Sequence, residues 1–170
     1  MKKLTALVII LALPLLVSAQ SKAVTSFIDK YIDHEDVTYV QVKGSLFKLI
    51  SSIAEYDNGE EPDEDLQALG RISSGISSMT VLKVPYLDTD LSKEDVANLR
   101  SSLSKEKYEE YMKVKEGKEM VTIMAQGSGK EVTNGLIMVE EKDGVTLIAF
   151  NGTILVKDLN YLSKHHDDWH

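Results

Sequence analysis

The side chains best suited to chemistry close the chain, where His165-His166-Asp167-Asp168-Trp169-His170 sets imidazoles beside carboxylates. Those donors suit Zn²⁺, Cu²⁺ or Ni²⁺, and His165, His166 and His170 would be the residues to hold a metal ion. Adjacent ligands on a terminus are not preorganised, and the entropy of ordering them weakens any site they form. A solvated His/Asp-rich tail from about residue 164 is therefore the plainer reading.

The other candidates each meet a simpler explanation. Glu55–Asp65 holds seven acids, but an EF-hand loop needs a mid-loop glycine and a bidentate Glu at its twelfth position. Gly59 comes too early and Pro62 breaks the spacing, so a turn followed by a helix start accounts for the acids. Asp88-Thr89-Asp90 lies just ahead of a second helix start, where acids also belong. Gly127-Ser128-Gly129-Lys130 lacks the earlier glycine and the following Ser or Thr of a phosphate loop, and reads as a hairpin turn. The serine-rich stretch Ile72–Ser78 contains no Gly-x-Ser-x-Gly elbow and no neighbouring histidine. His34, just past the first helix, is expected to be exposed. Met79, Met120, Met124 and Met138 all fall on predicted strands, where thioethers pack more readily than they bind copper. Asn151-Gly152-Thr153 fits a glycosylation sequon. No catalytic residue and no cofactor is expected, and the balance leans away from an enzyme.

Lys2 and Lys3 precede an almost unbroken apolar run, Leu4–Val17, and then the small-residue pattern Val17-Ser18-Ala19. This is the layout of a signal peptide cleaved after Ala19, since the run falls short of the about 20 residues of a comfortable span. Residues 1–19 are thus read as the leader and 20–170 as one domain, which places the protein outside the cytoplasm, periplasmic or secreted, with no membrane anchor after cleavage. The chain has no cysteine, so packing alone must hold it. Its net charge is −8, with Arg71 and Arg100 the only arginines. That balance argues against nucleic acid and anionic lipid as partners, both of which want clustered cations.

Those residues sit on a legible series of elements. Ala23–Asp33 shows helical spacing through Val24, Phe27, Ile28, Tyr31 and Ile32, and Val37–Val42 is β-branched and strand-like. After Gly44-Ser45, a helix would turn Leu46, Leu49, Ile50, Ile53 and Ala54 to one side; a further helix would bury Leu66, Leu69 and Ile72 and end at Gly75. Met79–Val84 is a second strand, stopped by Pro85. Ser92 with Asp95 makes a capping box for a long helical region that runs on, bent or restarted at Ser104, to Tyr108, Tyr111 and Met112. Glu119–Gln126, Glu131–Glu141 and Val145–Thr153 form a three-stranded meander, its second turn at Asp143-Gly144 with positive φ at both positions. Leu159 and Leu162 belong to a closing helix that Asp158 starts.

The order implies an α+β fold: a five-stranded, largely antiparallel sheet with helices packed on one face, the first two strands open to a parallel pairing. The runs Tyr108–Gly117 and Gly152–Leu159, together with Phe27-Ile28-Asp29-Lys30-Tyr31 ahead of the valine-rich strand, resemble the bacterial family called domain of unknown function 4252. The resemblance implies a small extracytoplasmic protein and brings no catalytic residues with it. The reading that follows is a non-enzymatic binding or regulatory module of the cell envelope with an envelope protein as partner. The alternative is a small-ligand or metal-binding extracytoplasmic protein. A binding module should expose an apolar patch of several hundred Å² on one face.

Overall fold

The computed structural model describes residues 21–56 and 64–165, with side chains described for 21–54 and 64–161. Residues 1–20, 57–63 of the acidic segment and 166–170 of the tail lie outside the described residues.

Helix α1 (Lys22–Tyr31) is capped by Ser21, whose Oγ accepts from the Val24 N–H at 3.1 Å. Strand β1 (Thr38–Lys43) runs directly into α2 (Gly44–Tyr56), followed by α3 (Glu64–Gly75) and β2 (Ile76–Pro85). Helix α4 (Lys93–Lys105) carries the expected capping box: the Asp95 N–H donates to Ser92 Oγ at 3.2 Å, and the Ser92 N–H to Asp95 Oδ2 at 3.0 Å. Strands β3 (Glu109–Glu116), β4 (Glu119–Gly127), β5 (Glu131–Glu140) and β6 (Gly144–Leu155) follow, and α5 (Val156–His165) closes the described chain.

The sheet has six strands in the order β1-β2-β6-β5-β4-β3, every pair antiparallel. The α+β class stands, but the extra strand corrects the expected five. Tyr111 and Met112 lie on β3 instead of extending α4. Lys107 turns the chain left-handed at φ 65, its N–H donates to Ser104 O at 3.1 Å, and the Tyr108 N–H donates to Leu103 O at 3.0 Å. That is a Schellman stop, with buried Tyr108 against buried Leu103, built without the usual glycine.

The pairing of β1 with β2 also resolves as antiparallel, Lys43 opposite Ser78. Helices α2 and α3, of 13 and 12 residues, go out and return, so the chain re-enters the sheet at the end it left. The β5–β6 hairpin is present, but its turn lies at Lys142-Asp143, closed by the Glu141 N–H donating to Gly144 O at 2.9 Å. Positive φ occurs at neither Asp143 nor Gly144. Gly144 is needed for space: a Cβ there would stand 2.5 Å from Val84 O on the neighbouring strand.

Over the inner strands β2, β6, β5 and β4 one face of the sheet is sealed. Leu82, Val84, Leu136, Met138, Val145 and Leu147 pack against Val24, Phe27, Tyr31, Val96, Leu99 and Leu103 of α1 and α4. Lys30 Nζ to Asp95 Oδ1, at 2.5 Å, ties the two helices together across the top of that core. Helices α2, α3 and α5 gather at the end of the sheet where β1 leaves and β2 enters. Gly70 lets α3 approach Ala54 of α2, and Arg71 Nε donates to buried Asp158 Oδ1 of α5 at 2.8 Å.

Candidate functional site: an uncovered apolar face

A strand places alternate side chains on opposite faces, so sealing one face fixes which residues form the other. In β6, Val145, Leu147 and Ala149 are buried while Thr146, Ile148 and Phe150 are only half-buried; β2 and β5 repeat the alternation. The register then aligns a single row across the whole sheet: Val40, Val81, Ile148, Ile137, Ile123 and Met112. The four inner members are half-buried, and the edge members Val40 and Met112 are 46% and 52% exposed. A parallel row carries Val139, Val121 and Val114 beside Thr146, Lys83 and Thr38. On the other side lie Val42, Met79 and Phe150, the Phe150 ring lying across Gly135, where a Cβ would come within 2.0 Å of it.

Antiparallel sheets with one wet face normally alternate apolar with polar. Here both faces are apolar, and among the described residues only one has a cover. Fully burying one such aliphatic side chain is worth about 1.5–3 kcal/mol, so six in one row represent a large unused driving force. The charge near the row is Lys83, which reaches Glu141 Oε2 at 3.8 Å.

Helix α2 adds a second apolar surface. Leu46, Leu49, Ile50 and Ile53 follow helical spacing, as the sequence indicates, but they face outward, with Leu49 57% and Ile53 61% exposed. Phe47, Ser51 and Ala54 take the inward side instead, because the close contact at Gly70 favours the helix face carrying small residues.

A cleft of ≈ 930 Å³ opens on the sealed side, where the helix cover ends short of β3. Tyr86, Leu91 and Met120 give it apolar lining, and Lys93, Arg100, Lys115, Lys118 and Lys142 outweigh the carboxylates of Glu119, Glu140 and Glu141 on its walls. Arg100 Nη2 pairs with Glu140 Oε1 on its wall and donates to Thr122 Oγ1 at 3.5 Å, while the buried Arg100 Nε has no hydrogen-bond partner. Burial, and then the nearby Glu140 carboxylate, push the Tyr86 hydroxyl pKa upward.

The residues singled out by sequence fall as follows. His165 ends α5; its side chain and all of His166 and His170 lie outside the described residues, as does the acidic segment before Glu64. Among the described residues no group of three or more His, Asp or Glu is placed to hold a metal ion. Thr89 of Asp88-Thr89-Asp90 donates its hydroxyl to Pro85 O and accepts from the Leu91 N–H, which makes the segment a turn into α4. Gly127–Lys130 is a hairpin turn, with the Ser128 N–H donating to Glu131 O at 2.8 Å. Of the serines, Ser74 donates to Arg71 O and Ser77 to Asn151 O. Asn151 is buried, and its Nδ2 donates to Ser78 Oγ, so the sequon is unavailable to a glycan. His34 is half-buried rather than exposed, its ring 6.1 Å from that of Tyr31. Met124 and Met138 are buried in the core, whereas Met79 lies on the open face.

Among the described residues no helix is long and apolar enough to cross a membrane. No curated protein and no solved structure matches the chain. The family model described as Domain of unknown function (DUF4252) matches residues 31–162, from the end of α1 through all six strands to α5, and the chain belongs to that family.

Proposed function

We propose that this protein is a binding or regulatory module of the cell envelope rather than an enzyme, exported by its leader, and that it docks a protein on the open sheet face. The single observation that carries the reading is the six-strand apolar row from Val40 to Met112, which among the described residues has no cover, while α1 and α4 pack on the opposite face. Apolar surface of that extent marks an interaction site. The test is crosslinking in intact cells followed by purification of the chain. The expected result is one envelope protein, or the chain itself, recovered with the wild type and lost with Ile148→Lys. Recovery unchanged by that substitution would contradict the reading.

A second reading rests on the cleft beside Arg100. Its apolar lining and a rim where five cations outnumber three carboxylates suit a small amphipathic anion. Calorimetry with decanoate as the probe should show heat that disappears in Arg100→Gln, and absence of heat in the wild type would end this reading. The histidine tail is a separate proposal for metal binding, tested by titrating Zn²⁺ and Cu²⁺ before and after deletion of His165–His170. Only tail-dependent heat supports it.

A further inference from the structure

We infer that the occupant of the open face is a second copy of this chain, the two sheets packing face to face about a twofold axis. The inference rests on the docking reading above and names its partner.

Area is the first support. Six strands about 4.8 Å apart and about eight residues long cover roughly 800 Å². A stable protein–protein contact of standard size buries about 800 Å² per partner. The open face therefore matches one whole interface, with nothing left over for a second.

Charge is the second support. A twofold contact sets a surface against itself, so any charge inside it meets its own kind. The row of Val40, Val81, Ile148, Ile137, Ile123 and Met112 contains no ionisable group, and nearby Lys83 already has Glu141 at 3.8 Å. Two copies can close on this row without burying a charge, since Glu116 and Glu119, on the same face by register, lie at its corner beside the β3–β4 turn. A different partner is usually selected by complementary charges across the contact, and this row offers none. Shape agrees: aligned sheets pack about 10 Å apart on side chains of this size, and the ring of Phe150 lies across Gly135 instead of standing up as an obstacle.

Sedimentation of the chain purified from its host, from about 1 to 100 µM, reads the result directly. A dimer is expected, with Ile148→Lys raising its dissociation constant at least roughly a hundredfold, because each copy would bury an unpaired ammonium. The chain has no cysteine, so one introduced at Ile148 reports on itself alone. Ile148→Cys should give a disulfide-linked dimer under mild oxidation, and Leu87→Cys, on a site 75% exposed away from the face, should not. A monomer at 100 µM, or a dimer indifferent to Ile148→Lys, overturns the inference. A monomer that still captures a different protein in cells through Ile148 refutes self-association and leaves the docking reading standing; a monomer that captures nothing refutes both.

Discussion

Asp95 shows how much a single side chain can do in this fold. It closes the capping box with Ser92 and receives Lys30 from α1, and these hydrogen bonds, Lys30 first and Ser92 next, hold its carboxyl below the usual carboxylate range. A depressed carboxylate stabilises the fold above its unfolded pKa, and that stability is lost as pH falls through the folded value. Asp95→Asn should therefore cost about 0.5–1 kcal/mol at pH 7, the loss of a negative charge at the helix start, because asparagine keeps an acceptor for the Ser92 N–H and half-exposed Lys30 is screened by water. Urea unfolding at pH 7 and at successively lower pH below about 4 should show the gap between wild type and variant closing. The capping box was readable from Ser92 and Asp95. The pairing with Lys30, 65 residues away, was not, since only the packing of α1 on α4 creates it. A second residue-scale test concerns Tyr108. Burial, then the nearby Glu106 carboxylate, push its pKa up to about 12, so Tyr108→Phe should remove part of the late phenol ionisation in spectrophotometric titration, a step it shares with Tyr161, also pushed up to about 12.

Elements were legible where their signals were local. The meander, the α4 start and the α1 face followed from turn residues and periodicity, and all three are present in the fold. Strand β3 was missed because Lys107 occupies a left-handed position that normally advertises itself with glycine. The alternation Met112-Lys113-Val114-Lys115 was the signal that could have found it. Lys107→Gly should raise stability by about 0.5 kcal/mol, as relief of backbone strain outweighs the added freedom of the unfolded chain. Thermal unfolding checks this; a loss of stability would mean the Schellman stop is misassigned. Packing between α2 and α3 gives the opposite sign for a change that usually helps a helix. Alanine at Gly70 would bring its Cβ within 2.9 Å of Ala54 Cβ, and neither backbone can yield cheaply. Gly70→Ala should destabilise by about 1–2 kcal/mol despite its better helix propensity, and Ala54→Gly in the same chain should recover part of the loss. Denaturant melts of the two single variants and the double variant decide it.

At the scale of the molecule, the sequence already held a conflict that the fold makes concrete. Val121–Ala125, Leu136–Val139 and Val145–Phe150 are nearly unbroken apolar runs, the pattern of strands buried on both sides. Among the described residues α1 and α4 cover one side, and the open side is where function is proposed. Sequence could not place β2 between β1 and β6, because that neighbour relation spans the entire chain between Val81 and Ile148. It was also silent on the row itself, which exists only once six strands take their register. The central claim is that this row is a docking surface. Its most direct test puts a photoactivatable crosslinking residue at Ile148 in living cells, with Leu87 as the exposed reference. A discrete crosslinked product is expected from Ile148 and none from Leu87. No product from Ile148, or equal products from both positions, would contradict it.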